Sequence, residues 1–456
     1  MKVVKFGGSS LASGRQIKKV FDIVMSDPER KIVVVSAPGK RFAEDVKVTD
    51  LLIKCAYSYL KQEDSLQLRE SILERYSLIA DELGLSEVTM VRIEHDLVEV
   101  LEGDKSDEAQ YIDAVKACGE DNLAKLVAAY FEHNGVETRY INPRDAGLWV
   151  SDQPGDAQVL PEAYDDLYKL RDLPGIIVFP GFFGYSKAGK VYTFSRSGSD
   201  ITGSILASAV KATLYENFTD VDAVYAVSPH IVNHPKEIKE LTFREMRELS
   251  YAGFSVFHDE ALIPAYRAGI PVNIKNTNNP KAPGTRIVNK RENTNGPVIG
   301  IASDEGFCSI YMSKYLMNKE VGFGRKVLNI LEDYGITYEH VPSGIDDMSV
   351  ILRQNQLNEN LKQSILQRIK KELQVDEVYI ECDLALLMVV GEGMRHNVGT
   401  TARASNALAK AEVNIEMINQ GSSEVSMMFG VKETDEARAV QALYDEFFVN
   451  VASSTR

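Results

Sequence analysis

From residue 1 to about residue 295, short continuous apolar runs alternate with segments of helical period, and this alternation most limits the folds open to the chain. The runs are the opening Lys2-Val-Val-Lys-Phe6, then Ile32 to Val35, Val136 to Ile141, Gly175 to Phe179, Val191 to Phe194, Thr213 to Phe218 and Pro271 to Ile274. Between them lie Ile17, Val20, Phe21 and Val24 at helical spacing, a nearly unbroken helical stretch from about Asp50 to His133, and a helix over Asp200 to Val210. A strand apolar along its whole length needs cover on both faces. Short strands of this kind separated by helices therefore define an α/β fold, a mostly parallel sheet sandwiched by helices. Ligands of such sheets gather at the carboxyl ends of the strands.

The texture changes after the segment from Lys281-Ala-Pro-Gly-Thr to Asn293-Thr-Asn-Gly-Pro297, whose Pro, Gly, Asn and charge mark a boundary. Two stretches of about 75 to 80 residues then share one pattern of strand, glycine-bearing turn, helix and strand, the mark of an internal repeat. The first runs through Phe307 to Met312, Gly322-Phe-Gly, Arg325 to Tyr334 and Asp347 to Leu352. The second runs through Asp383 to Val390, Gly391-Glu-Gly, Thr400 to Ala411 and Ser423 to Phe429. Each repeat is small for an independent core, so the two are expected to pair.

The 456 residues exceed one ordinary core. A formal charge of −15 speaks against nucleic acid and anionic membranes as partners, so an anionic ligand needs a local pocket. Cys55, Cys118, Cys308 and Cys382 form no CxxC pair and read as reduced thiols. No apolar run reaches the roughly 18 residues of a membrane span, and the opening apolar stretch is cut at Gly7, too early for a signal peptide. The expected compartment is the cytoplasm.

Five segments carry chemistry. Lys5-Phe-Gly7-Gly8-Ser9 joins the first strand to the first helix; without a Cβ at Gly7 and Gly8 the backbone can approach a polyphosphate, and Lys5 adds a point charge. It reads equally as a tight strand-to-helix turn. Thr49-Asp50 follows a basic loop with Lys40, Arg41 and Lys47 and reads as a helix N-cap signal. Gly119-Glu120-Asp121-Asn122 stands between two helical runs, where Glu120 also suits a first-turn acid facing the helix dipole. Phe194-Ser-Arg196-Ser-Gly198-Ser199-Asp200 ends a strand and begins a helix, and its arginine suits a carboxylate or phosphate. Asn217-Phe-Thr219-Asp220-Val-Asp222 with Tyr225 offers hydroxyl, carboxylate and ring for a nucleoside, or a capped turn.

In kind and order, Lys5-Phe-Gly-Gly-Ser-Ser10, Val35-Ser-Ala37, Gly119-Glu120, Ser195-Arg-Ser-Gly-Ser-Asp200 and Phe218-Thr-Asp-Val-Asp222 resemble the aspartate kinases of the amino-acid kinase fold. The C-terminal repeat resembles their tandem ACT domains. The resemblance covers essentially the whole chain. It implies a catalytic domain over 1–296, then two ferredoxin-like βαββαβ ACT domains over 297–380 and 381–456.

The implied reaction is ATP-dependent phosphorylation of the side-chain carboxylate of L-aspartate, the first step toward lysine, threonine and methionine. Carried over by position, Lys5, Gly7, Gly8 and Ser9 hold the ATP phosphates, and Thr219, Asp220 and Tyr225 line the nucleotide pocket. Thr49, Glu120, Arg196 and Ser199 hold aspartate, with Asp200 completing the acceptor site or orienting Lys5. Mg²⁺ is the expected companion of ATP, with no direct protein ligand assigned. An amino-acid effector, lysine foremost, is implied at Met317, Gly322, Phe323, Gly324, Ser343, Gly344 and Asp346, between ACT units of a homodimer or dimer of dimers.

Two departures stand out. Many relatives have a lysine in the segment that here reads Gly253-Phe-Ser255-Val-Phe-His258-Asp259, so either another cation such as Lys275 substitutes or Mg²⁺ carries more of the charge. Extra residues from Arg41 to Lys47 precede Thr49. Two competing readings are an amino-acid kinase of other specificity and a silent amino-acid sensor. Arg196, Glu120 and the repeats speak against the first, and intact Lys5, Arg196 and Asp200 against the second.

Overall fold

The computed structural model describes residues 1–195, 197–254, 259–291, 296–421 and 425–449. Through these residues the chain packs as two units. The first comprises Met1–Val224, Glu237–Arg247 and Ser255–Glu292, and the second Tyr225–Lys236, Glu248–Phe254 and Asn293–Arg456.

The first unit is built on an eight-stranded sheet in the order Glu240–Thr242, Thr285–Val288, Val272–Asn276, Leu214–Thr219, Lys2–Phe6, Arg30–Val35, Ile176–Pro180, Thr138–Tyr140. Every neighbouring pair is parallel except Val272–Asn276 against Thr285–Val288. The expected continuous burial is there: Val3, Val4, Phe6 and Ile32 to Val35 are fully inaccessible. One face of the sheet, through Val4, Phe6, Val33, Val35, Val178 and Phe218, shares a core with Ile17, Val20, Ile72, Tyr76, Leu97, Leu123 and Phe131. These side chains come from the helices Gly14–Met25, Leu66–Leu83, Glu87–Leu101 and Glu108–His133.

Three local readings are corrected. Val191–Thr193 lies outside the main sheet and forms a separate antiparallel pair with Phe183–Tyr185. Gly119 and Glu120 do not separate two helices but lie inside one, Glu108–His133. The glycine is used there for close approach, since a Cβ would stand 2.8 Å from the Ala37 Cβ. Thr49 is not a cap: Lys47 holds that position without a side-chain bond, and Thr49 falls in the first turn of Val48–Lys61.

In the second unit both repeats contribute to one antiparallel sheet ordered Asp347–Arg353, Gly300–Ser313, Glu377–Val390, Ser426–Lys432, Met417–Asn419. Its helices are Phe323–Asp333, Glu359–Leu373, Thr400–Lys410 and Glu436–Tyr444. Ile310, Met312 and Val350 of the sheet bury against Val327, Ile330, Ile365 and Ile369. All four cysteines are free.

Candidate active site

The carboxyl ends of Lys2–Phe6, Arg30–Val35 and Leu214–Thr219 open onto a cavity of about 560 Å³. Its wall includes Gly8 and Ser9, the segment Ser36 to Ala43, Lys47 and Thr49, Glu120 and Asp220. Residues expected to hold ATP and residues expected to hold aspartate therefore face one space.

Parallel register brings the pieces together. Lys5 stands opposite Asn217 in the sheet, and Phe6 opposite Phe218. The Gly7 amide donates to the Phe218 carbonyl at 3.1 Å, which commits it to the sheet. Gly8 then starts a single 3-10 turn, Gly8–Leu11, ahead of the helix Gly14–Met25 capped by Ser13. The first amides of such a turn have no partner within it, which leaves Gly8 and Ser9 as donors toward an anion. Gly8 has to be a glycine: a Cβ would lie 2.9 Å from the Ala37 carbonyl oxygen and 3.2 Å from Gly39.

Lys5 is buried, and its Nζ lies 2.5 Å from Oδ1 of Asp200 in the first turn of Gly198–Ala209. Asn217 donates to the same oxygen at 2.6 Å. Ser199 is buried beside Asp200, with its Cβ where a side chain on Gly181 would fall, 2.7 Å away. Thr219 Oγ1 donates to Asp220 Oδ1 at 3.2 Å, and the Asp220 carboxylate is exposed on the cavity wall.

Glu120 has the most unusual environment. It is 5% exposed, and its Oε2 is buried with no partner among the described residues. Burial pushes its carboxyl up to about 8; a hydrogen bond from the Ala37 amide and the nearby Lys116 and Lys5 charges pull the other way. A buried acceptor without a donor, on the wall of a cavity, is matched to a ligand that brings one.

Arg196 and residues 255–258 lie outside the described residues. Tyr225 belongs to the second unit. Lys275 is corrected as a substitute cation. It pairs in register with Phe218, whereas Ile274 pairs with Asn217 beside Lys5, so successive side chains put Lys275 on the other face of the sheet. There it neighbours Glu216 and Arg30. Among the described residues, the cations lining the cavity are Lys40, Arg41 and Lys47.

Sequence reasoning missed Arg75 and Asp45, which hold the wall-forming loop; Arg75 is buried and donates to the carbonyls of Gly39 and Val46. The available signal was an arginine at the apolar spacing of Ile72, Tyr76 and Ile79.

In the second unit, the effector candidates fall on two loops that meet. Leu316 N–H donates to Asp346 Oδ1 at 2.9 Å and Lys314 N–H to the Asp346 carbonyl at 2.8 Å. Met317 and Phe323 are buried, and Gly322 caps the helix Phe323–Asp333 with a φ of 77°. Ser343 and Gly344 instead line a cavity of about 360 Å³ with Tyr311, Tyr379 and Glu416.

A parallel sheet with a glycine turn, a lysine–aspartate pair and a carboxylate-lined cavity at its strand ends defines a small-molecule phosphotransferase. The chain belongs to the amino acid kinase family, whose model matches residues 1–276; an ACT domain model matches residues 387–447. It is 69% identical to aspartokinase 3 of Bacillus subtilis (strain 168), over 100% of both chains. It is 30% identical to the chloroplastic aspartokinase 1 of Arabidopsis thaliana, over 98% of this chain and 80% of that one. Among solved structures, Clostridium acetobutylicum aspartate kinase matches with a TM-score of 0.87 at 38% identity, covering 98% of this chain and all of that one. E. coli aspartokinase III in complex with aspartate and ADP matches at 0.77 with 26% identity and the same coverage. Within its family the chain thus belongs with the aspartokinases, and its activity is that of an aspartate kinase, a phosphotransferase with a carboxyl group as acceptor.

Proposed function

We propose that the cavity transfers the γ-phosphoryl group of ATP to the side-chain carboxylate of L-aspartate, giving 4-phospho-L-aspartate. The observation that carries this is the wall itself, which brings Gly8, Ser9 and Asp220 together with Thr49 and Glu120 around one space. The glycine cradle, which a Cβ would fill, fits a phosphate chain.

The amides of Gly8 and Ser9 take phosphate oxygens, and Lys5, oriented by Asp200 and Asn217, faces the developing charge. Thr219 and Asp220 hold the nucleoside side. Thr49 and Ser199 take the acceptor, Arg196 pairs with a substrate carboxylate, and the unpartnered Glu120 oxygen accepts from the substrate ammonium. Aspartate's carboxylate is a nucleophile at neutral pH, so no general base is needed. Catalysis is alignment plus charge neutralisation.

Mg²⁺ fits this oxygen-rich wall, since it takes one or two carboxylates and keeps water and phosphate ligands. Asp220, an exposed carboxylate of the wall, would hold it, and the ion would neutralise phosphate charge. Lys40 and Lys47 of the wall supply the positive charge that the segment around Ser255 lacks.

The catalytic domain is assigned to 1–296 and the ACT domains to 297–380 and 381–456. They serve feedback inhibition by lysine, with or without threonine, at Met317, Gly322, Phe323, Gly324, Ser343, Gly344 and Asp346, within an oligomer paired through ACT units. E. coli aspartokinase III in complex with lysine and aspartate supports that reading. The enzyme is assigned to the cytoplasm; no described helix is long and apolar enough to cross a membrane.

A hydroxamate trap for acyl phosphate, run with ATP, Mg²⁺ and a panel of aspartate, glutamate and acetylglutamate, tests the substrate. Aspartate-dependent product is expected. Preference for another acid would overturn the assignment.

A further inference from the structure

Arg75 stands on the buried face of the helix Leu66–Leu83, beside Ile72, Tyr76 and Ile79, and is itself 5% exposed. A guanidinium in such a place has to be well partnered to be tolerated. Among the described residues, its partners Gly39, Asp45 and Val46 all belong to one irregular loop. Nη2 donates to the Gly39 carbonyl at 2.7 Å, Nη1 donates to the Val46 carbonyl at 2.9 Å, and Nη1 lies 3.1 Å from Asp45 Oδ2. Asp45 in turn closes the loop on itself: its Oδ2 accepts from the Arg41 amide and Nε at 2.9 Å each, and its Oδ1 from Arg41 Nη2 at 3.0 Å.

The held loop is itself locked to the glycine turn. Gly39 N–H donates to the Gly8 carbonyl at 2.9 Å, and a Cβ on Gly39 would fall 2.5 Å from the Gly8 carbonyl carbon and 2.7 Å from the Ser9 nitrogen. One residue, Gly39, thus separates the Arg75 contact from the phosphate cradle. At its other end the loop runs through Lys47 into the helix carrying Thr49. The next residue of the supporting helix, Tyr76, donates to the Gly119 carbonyl at 2.8 Å, beside Glu120.

We propose that Arg75 is a positioning residue for phosphoryl transfer, fixing the 39–47 loop so that the Gly8–Ser9 amides and Thr49 stand in register across the cavity. It rests on the cavity being the ATP and aspartate site, and it adds a residue that touches neither. An irregular loop has many conformations, and bonds to one buried guanidinium at both its ends select a single one. Small displacements of aligned groups are costly, up to about 10²-fold in rate for about 1 Å.

The test uses the full-length enzyme with Arg75→Ala and Arg75→Lys. For Arg75→Ala, kcat/KM for aspartate is expected to fall by about 10²-fold. Millimolar guanidinium, which leaves wild type unchanged, is expected to restore part of the loss, and trypsin is expected to cut faster at Lys40, Arg41 and Lys47. Arg75→Lys retains charge but cannot span both carbonyls, so it is expected to stay low. The proposal is overturned if kinetics stay within about twofold of wild type, or if the loss follows Tm with neither rescue nor faster cleavage in the loop.

Should Arg75→Ala fail to fold, Asp45→Asn slackens the same loop from its own side, and unchanged kinetics there overturn the proposal. Glu120→Gln separates the two levels. If it leaves aspartate KM unchanged, the site assignment fails; if it raises KM while the Arg75 and Asp45 variants behave as wild type, only the positioning role fails.

Discussion

Lys5 Nζ lies 2.5 Å from Asp200 Oδ1, an ion pair running from the first strand of the chain to the first turn of the helix Gly198–Ala209. Both residues are at least nine-tenths buried, and Asn217 fixes the carboxylate from the strand beside Lys5. The ammonium is therefore held in one orientation by the protein alone. Lys5→Ala is expected to lower kcat by about 10²-fold or more, the scale of losing one preorganised charge stabiliser. Steady-state kinetics at saturating ATP and aspartate check it; a near-normal kcat would remove Lys5 from the mechanism.

If Glu120 accepts the substrate ammonium, it sets the pH dependence of aspartate binding. Its folded-state pKa is raised to about 8, mainly by burial, so the free site holds the neutral acid at pH 7 whereas an ammonium ligand requires the carboxylate. Aspartate affinity is expected to rise from pH 6 to 8, by up to about tenfold per unit well below the pKa, and to level off above it. For stability the sign is opposite: the unfolded carboxyl ionises first, so this group favours the fold least above pH 8. Glu120→Gln is expected to flatten the affinity profile, measured as kcat/KM for aspartate across that range.

Gly39→Ala tests the backbone contact between loop and cradle. The added Cβ meets the backbone of Gly8 and Ser9 rather than a movable side chain. A loss of about 1–3 kcal/mol in stability and a larger relative loss in kcat are expected. Paired thermal denaturation and turnover measurements decide it; a stable variant with full activity would show that the cradle can shift freely.

Arg30 and Glu216 form a buried bidentate pair, with Nε to Oε2 at 2.7 Å and Nη2 to Oε1 at 3.0 Å, on the sheet face away from Lys5. Arg30→Met leaves Glu216 buried without its partner and is expected to cost about 3–5 kcal/mol. Aspartate KM of the folded fraction is expected to stay unchanged. A denaturant midpoint like that of wild type would contradict the first expectation.

Asp346 ties the Leu316 loop to the segment carrying Ser343 and Gly344. If lysine binds there, Asp346→Ala is expected to raise the half-inhibitory lysine concentration about tenfold, within the ordinary range of coupling energies, with basal kcat unchanged. Inhibition curves with lysine, and with lysine and threonine together, check it.

The alternating pattern was legible because burial on both faces leaves its mark in composition: runs such as Ile32 to Val35 carry no polar residue. Val191 to Phe194 shows the limit, since its residues suit a main-sheet strand equally well, and only its pairing with Phe183–Tyr185 sets it aside. Gly119 misled for a related reason. A glycine that usually interrupts a helix is kept inside one because Ala37 and Leu52 leave no room for a Cβ.

The sequence by itself determined the mostly parallel α/β unit, the presence of an internal repeat after it, and the residue types of the site, because periodicity and motif spacing are local properties of the chain. Only the tertiary structure decided that Lys275 points away from Lys5, that Glu120 is a buried acid with one oxygen left open, and that Arg75 reaches Gly39. Those facts depend on sheet register and on which atoms are shut off from water. Both are set by contacts between residues far apart in sequence.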